Sequence, residues 1–95
     1  MGNSYHSVGD AIDRFLKERG VKDKADIHRV INAWPRIMGR AIGENTEDLW
    51  FREGVFYVRM KSPVWKNELA MARSKICDLV NREIGRNLVQ EVRIV

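Results

Sequence analysis

The sequence is poor in the residues that most chemistry needs, and each shortage excludes something. One cysteine in 95 residues, Cys77, leaves no intramolecular disulfide and no cysteine-based metal cluster. It lies inside a helical pattern and reads as a small buried hydrophobe rather than a reactive thiol. The two histidines, His6 and His28, stand without an HExxH motif, a Ser-His-Asp arrangement or a carboxylate pair beside a pocket. The nearest approach to a glycine loop, "GRAIG" at 39–43, lacks the Lys and Ser/Thr that must follow it in a phosphate-binding loop, which excludes an ATPase of that type. No apolar run approaches the roughly 20 residues of a membrane span, and the start carries no signal-type stretch. The expected chain is a non-enzymatic protein of the cytoplasm or the nucleoid, with no cofactor, no metal and no membrane partner.

What is present fits one globular domain. At 44% apolar and 32% charged the composition is ordinary, and a chain of 95 residues is long enough for a single core. Residues 1–6 are expected to be flexible and 7–95 to form the domain. Seventeen Lys and Arg against 13 Asp and Glu give +4, a mild bias toward anionic partners such as nucleic acid.

Hydrophobic spacing places the elements. Val8, Ala11, Ile12, Phe15 and Leu16 fall at helical spacing after the capping-box-like "SVGD", and Gly20 is a natural stop. A second helix is expected from Asp23, through Ile27, Val30, Ile31 and Trp34, with a kink or break at Pro35 and a further segment "PRIMGRAIG". "DLWFREGVFYVRMK" alternates as a hairpin around Glu53-Gly54. Ser62 and Pro63 then open a helix of about 20 residues, with Ser62 as N-cap and Pro63 in its first position. It carries Trp65, Leu69, Ile76 and Val80 and ends at Gly85. "LVQEVRIV" reads as a last strand. The predicted order is α-α-β-β-α-β, an α+β fold with a small sheet covered by helices on one face. Its predicted core is Phe15, Trp34, Leu49, Phe51, Phe56, Val58, Trp65, Leu69 and Ile76.

The same alternation exposes a candidate site. With Leu49, Phe51, Phe56, Val58 and Met60 turned inward, Trp50, Arg52, Val55, Tyr57, Arg59 and Lys61 share the outer face, and Arg93 joins them from the last strand. Rings that stack bases and cations that meet phosphates make this a candidate nucleic-acid platform. Lys66, Arg73 and Lys75 extend the positive area. The same face equally suits a partner protein or a second copy, with Trp50 and Tyr57 as anchors, or a plain solvated surface.

Three segments together resemble a known family. "NAWPRIMGRAIGENT" is similar to the Trp-x-x-(Ile/Val)-(Val/Met)-Gly stretch, with a Thr a few residues on, that opens the DciA family, once a domain of unknown function. "LWFREGVFYVRMKSPVWKNEL" resembles that family's hairpin, turn Gly, Ser-Pro-x-Trp and Glu-Leu, and "VNREIGRNLVQEVRIV" its closing helix and strand. The resemblance implies a KH-like domain that acts with the bacterial replicative helicase DnaB in DNA replication and binds single- or double-stranded DNA, without hydrolysing ATP. RNA binding and a pure protein-interaction role are the alternatives, and a homodimer is compatible with either. Two features depart from what the resemblance implies. None of the seven glycines makes the Gly-x-x-Gly loop of a standard KH domain, and the long basic extension of many family members is not in this sequence.

Overall fold

The structure, a computed structural model, describes residues 4–95. Of the expected flexible start, 1–3 lie outside the described residues and 4–6 open the first helix. The elements run α1 (Ser4–Met38), α2 (Arg40–Glu44), β1 (Thr46–Arg52), β2 (Val55–Met60), α3 (Pro63–Ala70), α4 (Arg73–Ile84) and β3 (Glu91–Ile94). The class is α+β, with one three-stranded sheet in the order β1-β2-β3.

The first two predicted helices are one. Gly20 does not stop α1, because a mid-helix glycine costs only about 1 kcal/mol relative to alanine, and its neighbours Arg19, Lys22, Lys24 and Ala25 are good helix formers. No helix starts at Asp23, whose carboxylate takes the Arg86 guanidinium. Nor does the helix break at Pro35. It continues one turn, the Gly39 N–H bonds to the Pro35 carbonyl at 2.8 Å, and the chain turns at Gly39, where φ is +92°. Helix α2 folds back so closely that a Cβ on Gly43 would lie 3.0 Å from Pro35 Cβ.

This continuity overturns one core assignment. Phe15 is 56% exposed, because residues 7–22 of the unbroken helix run past the sheet, and all of them are exposed. The molecule is accordingly long, 64 × 20 × 20 Å. Its core lies in the other part of the chain. Val30, Trp34, Phe56, Val58, Leu69, Ile76 and Val80 are buried, with Leu49, Phe51 and Trp65 partly buried against them.

The long helix expected after Ser62 is two. Ser62 caps α3 by accepting a hydrogen bond from the Trp65 N–H at 3.4 Å, with Pro63 in the first position. The chain then turns at Met71-Ala72, with neither Gly nor Pro to mark it. The bend gives one apolar stripe two targets: Leu69 of α3 meets the strands, while Ile76, Val80 and Ile84 of α4 fill the space between α1 and β3. After α4, the Asn81 side chain locks the return to β3 by exchanging two 2.8 Å hydrogen bonds with the Val89 backbone.

Helix α1 is clamped to α4 by ions. Arg29 donates to the Glu83 and Ile84 carbonyls at 3.0 Å, capping the end of α4. Arg36 pairs with Glu83 at 3.0 Å. Buried Asp26 accepts from Arg86 at 2.8 and 3.2 Å. Hydrogen bonds to Asp23, then Asp26, raise the pKa of Arg86 above its ordinary value.

Candidate nucleic-acid interface

Strand pairing decides what the outer sheet face presents. β1 and β2 are antiparallel, with Trp50 opposite Tyr57, and β3 runs parallel to β2, with Arg93 beside Tyr57. Glu53 (φ +49°) and Gly54 (φ +82°) form the hairpin turn, the two positive values of a type I′ connection. The turn fixes the register, and the register sets the outer row.

That row is a stack. The Trp50 and Tyr57 rings lie 5.0 Å apart and 4° from parallel. The Arg59 guanidinium covers Trp50 at 4.9 Å, and the Arg93 guanidinium approaches Tyr57 at 5.9 Å. The sequence Arg59–Trp50–Tyr57–Arg93 therefore crosses all three strands, joined by stacking and cation–π attraction. Each arginine also has a carboxylate partner: Glu47 lies 3.9 Å from Arg59, and Glu91 pairs with Arg93. The Glu91 hydrogen bond raises the Arg93 pKa above its usual value.

The stack revises how the rings can act. Their faces are turned to one another and to the arginines, so what they offer outward is edges and charge rather than open platforms. The remaining predicted site residues are more dispersed. Arg52 is exposed at the turn end of the same face, opposite Val55, and Lys61 is exposed just past β2 at the other end. Lys66 is exposed on α3, in the helical layer, and is not brought to this face. Arg93 stands at the border of a second concavity. Edge strand β3 and helix α4 enclose a groove of about 700 Å³ lined by Arg73, Ser74, Cys77, Asp78 and Ile94 as well as Arg93. Periodicity gave no sign of Ser74 or Asp78 there, because the groove exists only once α4 is placed beside β3. Burial, and to a smaller degree the charge of Asp78, push the Cys77 thiol up. Its sulfur lies 3.3 Å from the Val89 carbonyl. Among the described residues no group of three His, Cys, Asp or Glu side chains is placed to hold a metal ion, and no helix is long and apolar enough to cross a membrane.

A family model described as "Dna[CI] antecedent, DciA" matches residues 7–94. The chain belongs to the DciA family. Relatives include a UPF0232 protein of Streptomyces coelicolor, 25% identical over 99% of this chain and 50% of its own length. A UPF0232 protein of Streptomyces avermitilis is 25% identical over 98% of this chain and 52% of its own length. The DciA domain thus spans about half the length of the curated relatives it matches. No solved structure matches.

The segments that resemble the DciA family have structural roles here. Trp34 is 1% exposed, and its indole N–H donates to Thr46 Oγ1 at 3.0 Å. Thr46 is the Thr that follows at a distance in the same motif. The Ser-Pro pair is the N-cap and first residue of α3, and the hairpin Gly supplies a positive φ.

Proposed function

We propose that this DciA domain is a non-enzymatic nucleic-acid-binding and protein-interaction domain that acts with the replicative helicase DnaB in DNA replication. Family membership supports the replication role. The observation that carries the nucleic-acid part is the Arg59–Trp50–Tyr57–Arg93 row, with Arg52 and Lys61 exposed at the two ends of the strands that bear it. The two stacked rings hold two guanidinium groups in place on a flat face, and planar guanidinium groups suit phosphate oxygens. A phosphate then takes the place of Glu47 or Glu91 as counter-ion. The fold, two hairpin strands and a parallel third with helices on one face, supports the KH-like reading. Lacking a Gly-x-x-Gly loop, it grips a strand through this sheet face.

Titration with single-stranded DNA at several salt concentrations tests this. Log affinity is expected to fall linearly with log salt, by about 0.7 per phosphate neutralised. Arg59→Ala with Arg93→Ala is expected to weaken binding and flatten that slope. Absence of binding at low salt removes the nucleic-acid part, and unchanged affinity in the double variant moves the site off this face. RNA in competition with DNA separates the two ligands.

One observation favours a second reading. Rings already stacked on each other and flanked by arginines have the Trp, Tyr and Arg composition of protein-interface hot spots. If the face docks DnaB or another protein, Trp50→Ala abolishes capture of that protein and leaves DNA affinity unchanged.

A further inference from the structure

Proteins that stack nucleobases on a sheet need an aromatic ring that is free to receive them. On the outer face of this sheet each ring is covered twice. Trp50 and Tyr57 lie against each other, 5.0 Å apart and 4° from parallel. The Arg59 guanidinium covers Trp50 at 4.9 Å, and the Arg93 guanidinium lies 5.9 Å from the centre of Tyr57. A base gains a ring face here only by displacing the neighbouring ring or an arginine, at the cost of the stacking and cation–π attraction that hold the row.

What stays open to a ligand is the arginines. Their side chains are 49% exposed at Arg59 and 55% at Arg93, whereas Trp50 and Tyr57 are half-buried. The rings serve as supports: a guanidinium held on a ring loses less freedom when it binds than one on a loose side chain. Each arginine already has a carboxylate, and the two pairs are unequal. Glu47 lies 3.9 Å from Arg59, a loose pair, while Glu91 is hydrogen-bonded to Arg93. Both acids are exposed, so either can turn into water when another anion takes its place.

Resting on the reading of this face as the nucleic-acid site, we propose that its ligand is the sugar–phosphate backbone alone. Phosphates displace Glu47 and Glu91 from the two arginines, and no base is read. Arg59, with the looser counter-ion, exchanges first, and Glu91 is the stronger of the two internal competitors. A face of this kind holds any phosphodiester strand alike and lets it slide, because no base fixes a register.

Two comparisons with the full chain at one low salt concentration test the proposal. The first sets a thymidine homopolymer against an abasic strand of the same length, and equal affinity is expected. A base stacked on Trp50 or Tyr57 would instead make the abasic strand bind roughly 5- to 150-fold more weakly. The second compares Glu91→Gln and Glu47→Gln with Asp13→Asn, which removes the same charge from the exposed, projecting part of α1. Glu91→Gln is expected to tighten binding about two- to fivefold, the equilibrium worth of an exposed ion pair, Glu47→Gln by less, and Asp13→Asn least. Glu91→Gln binding no tighter than Asp13→Asn overturns the exchange. A thymidine strand that binds while the abasic strand is weaker by about fivefold or more overturns the backbone-only ligand and leaves the nucleic-acid reading of the face standing. If neither strand binds the wild-type chain, that reading falls and the proposal falls with it.

Discussion

At Trp34 and Thr46 a single hydroxyl reconciles a large aromatic core with a polar atom. The Thr46 hydroxyl accepts from the Trp34 indole at 3.0 Å and donates to the Ile42 carbonyl at 2.7 Å, so α1, α2 and β1 meet at one oxygen. It faces inward because the β1–β2 register shifts between Thr46 and Asp48. Strict alternation would have put Thr46 on the outer face with Trp50, and the irregularity turns it toward the core. Thr46→Val keeps the volume and removes the acceptor. The buried indole N–H is then unpaired, a loss of about 1–3 kcal/mol, to be measured by denaturant unfolding. A loss near zero would mean that Trp34 finds another acceptor. At this scale the sequence is legible in part. The alternation of β1 and β2 was enough to assign Trp50, Tyr57 and Arg59 to one face, but not to show that their rings stack on each other. Stacking depends on cross-strand register and rotamer, and alternation carries neither.

Among elements, the hairpin and the start of α3 are written locally, and the helix boundaries are not. Glu53-Gly54 specifies its turn because few residues tolerate a positive φ. Gly54→Ala places a side chain at φ +82°, with its Cβ 3.4 Å from Gln90. The variant is expected to lose about 1–2 kcal/mol, the cost of left-handed backbone for a residue with a Cβ, seen as a lower denaturant midpoint with unchanged m-value. A midpoint equal to wild type would show that the hairpin can shift to another turn. Ser62-Pro63 is equally local, since the cap and the proline at the first position act within one turn. Gly20, Pro35 and the Met71-Ala72 bend are decided at longer range. Gly20 and Pro35 have the chemistry of helix ends, yet α1 runs through both. Met71-Ala72 has none, yet the chain turns there to let Leu69 and Ile76 reach different neighbours.

For the whole molecule, the division that matters is between a compact body and the helix that projects from it. Periodicity reported the apolar stripe of residues 8–16 correctly, but periodicity shows that a face is apolar, not what covers it. Placing Phe15 in the core followed from assuming that every such face is buried within its own chain. The buried side chains instead begin at Asp26 and Ile27; the ion pairs from α1 to α4 and to Arg86 just past it use Asp23, Asp26 and Arg36, and Arg29 adds hydrogen bonds to the last α4 carbonyls. A chain shortened to residues 23–95 therefore retains the core, the clamp and the outer sheet face. It is expected to unfold cooperatively with a melting temperature close to that of the full chain and to bind single-stranded DNA with the same intrinsic affinity. Its scattering profile should lose the 64 Å extent. If the shortened chain instead melted without a cooperative transition, residues 7–22 would be part of the folding unit, and their exposed apolar face would have a structural role in the single chain.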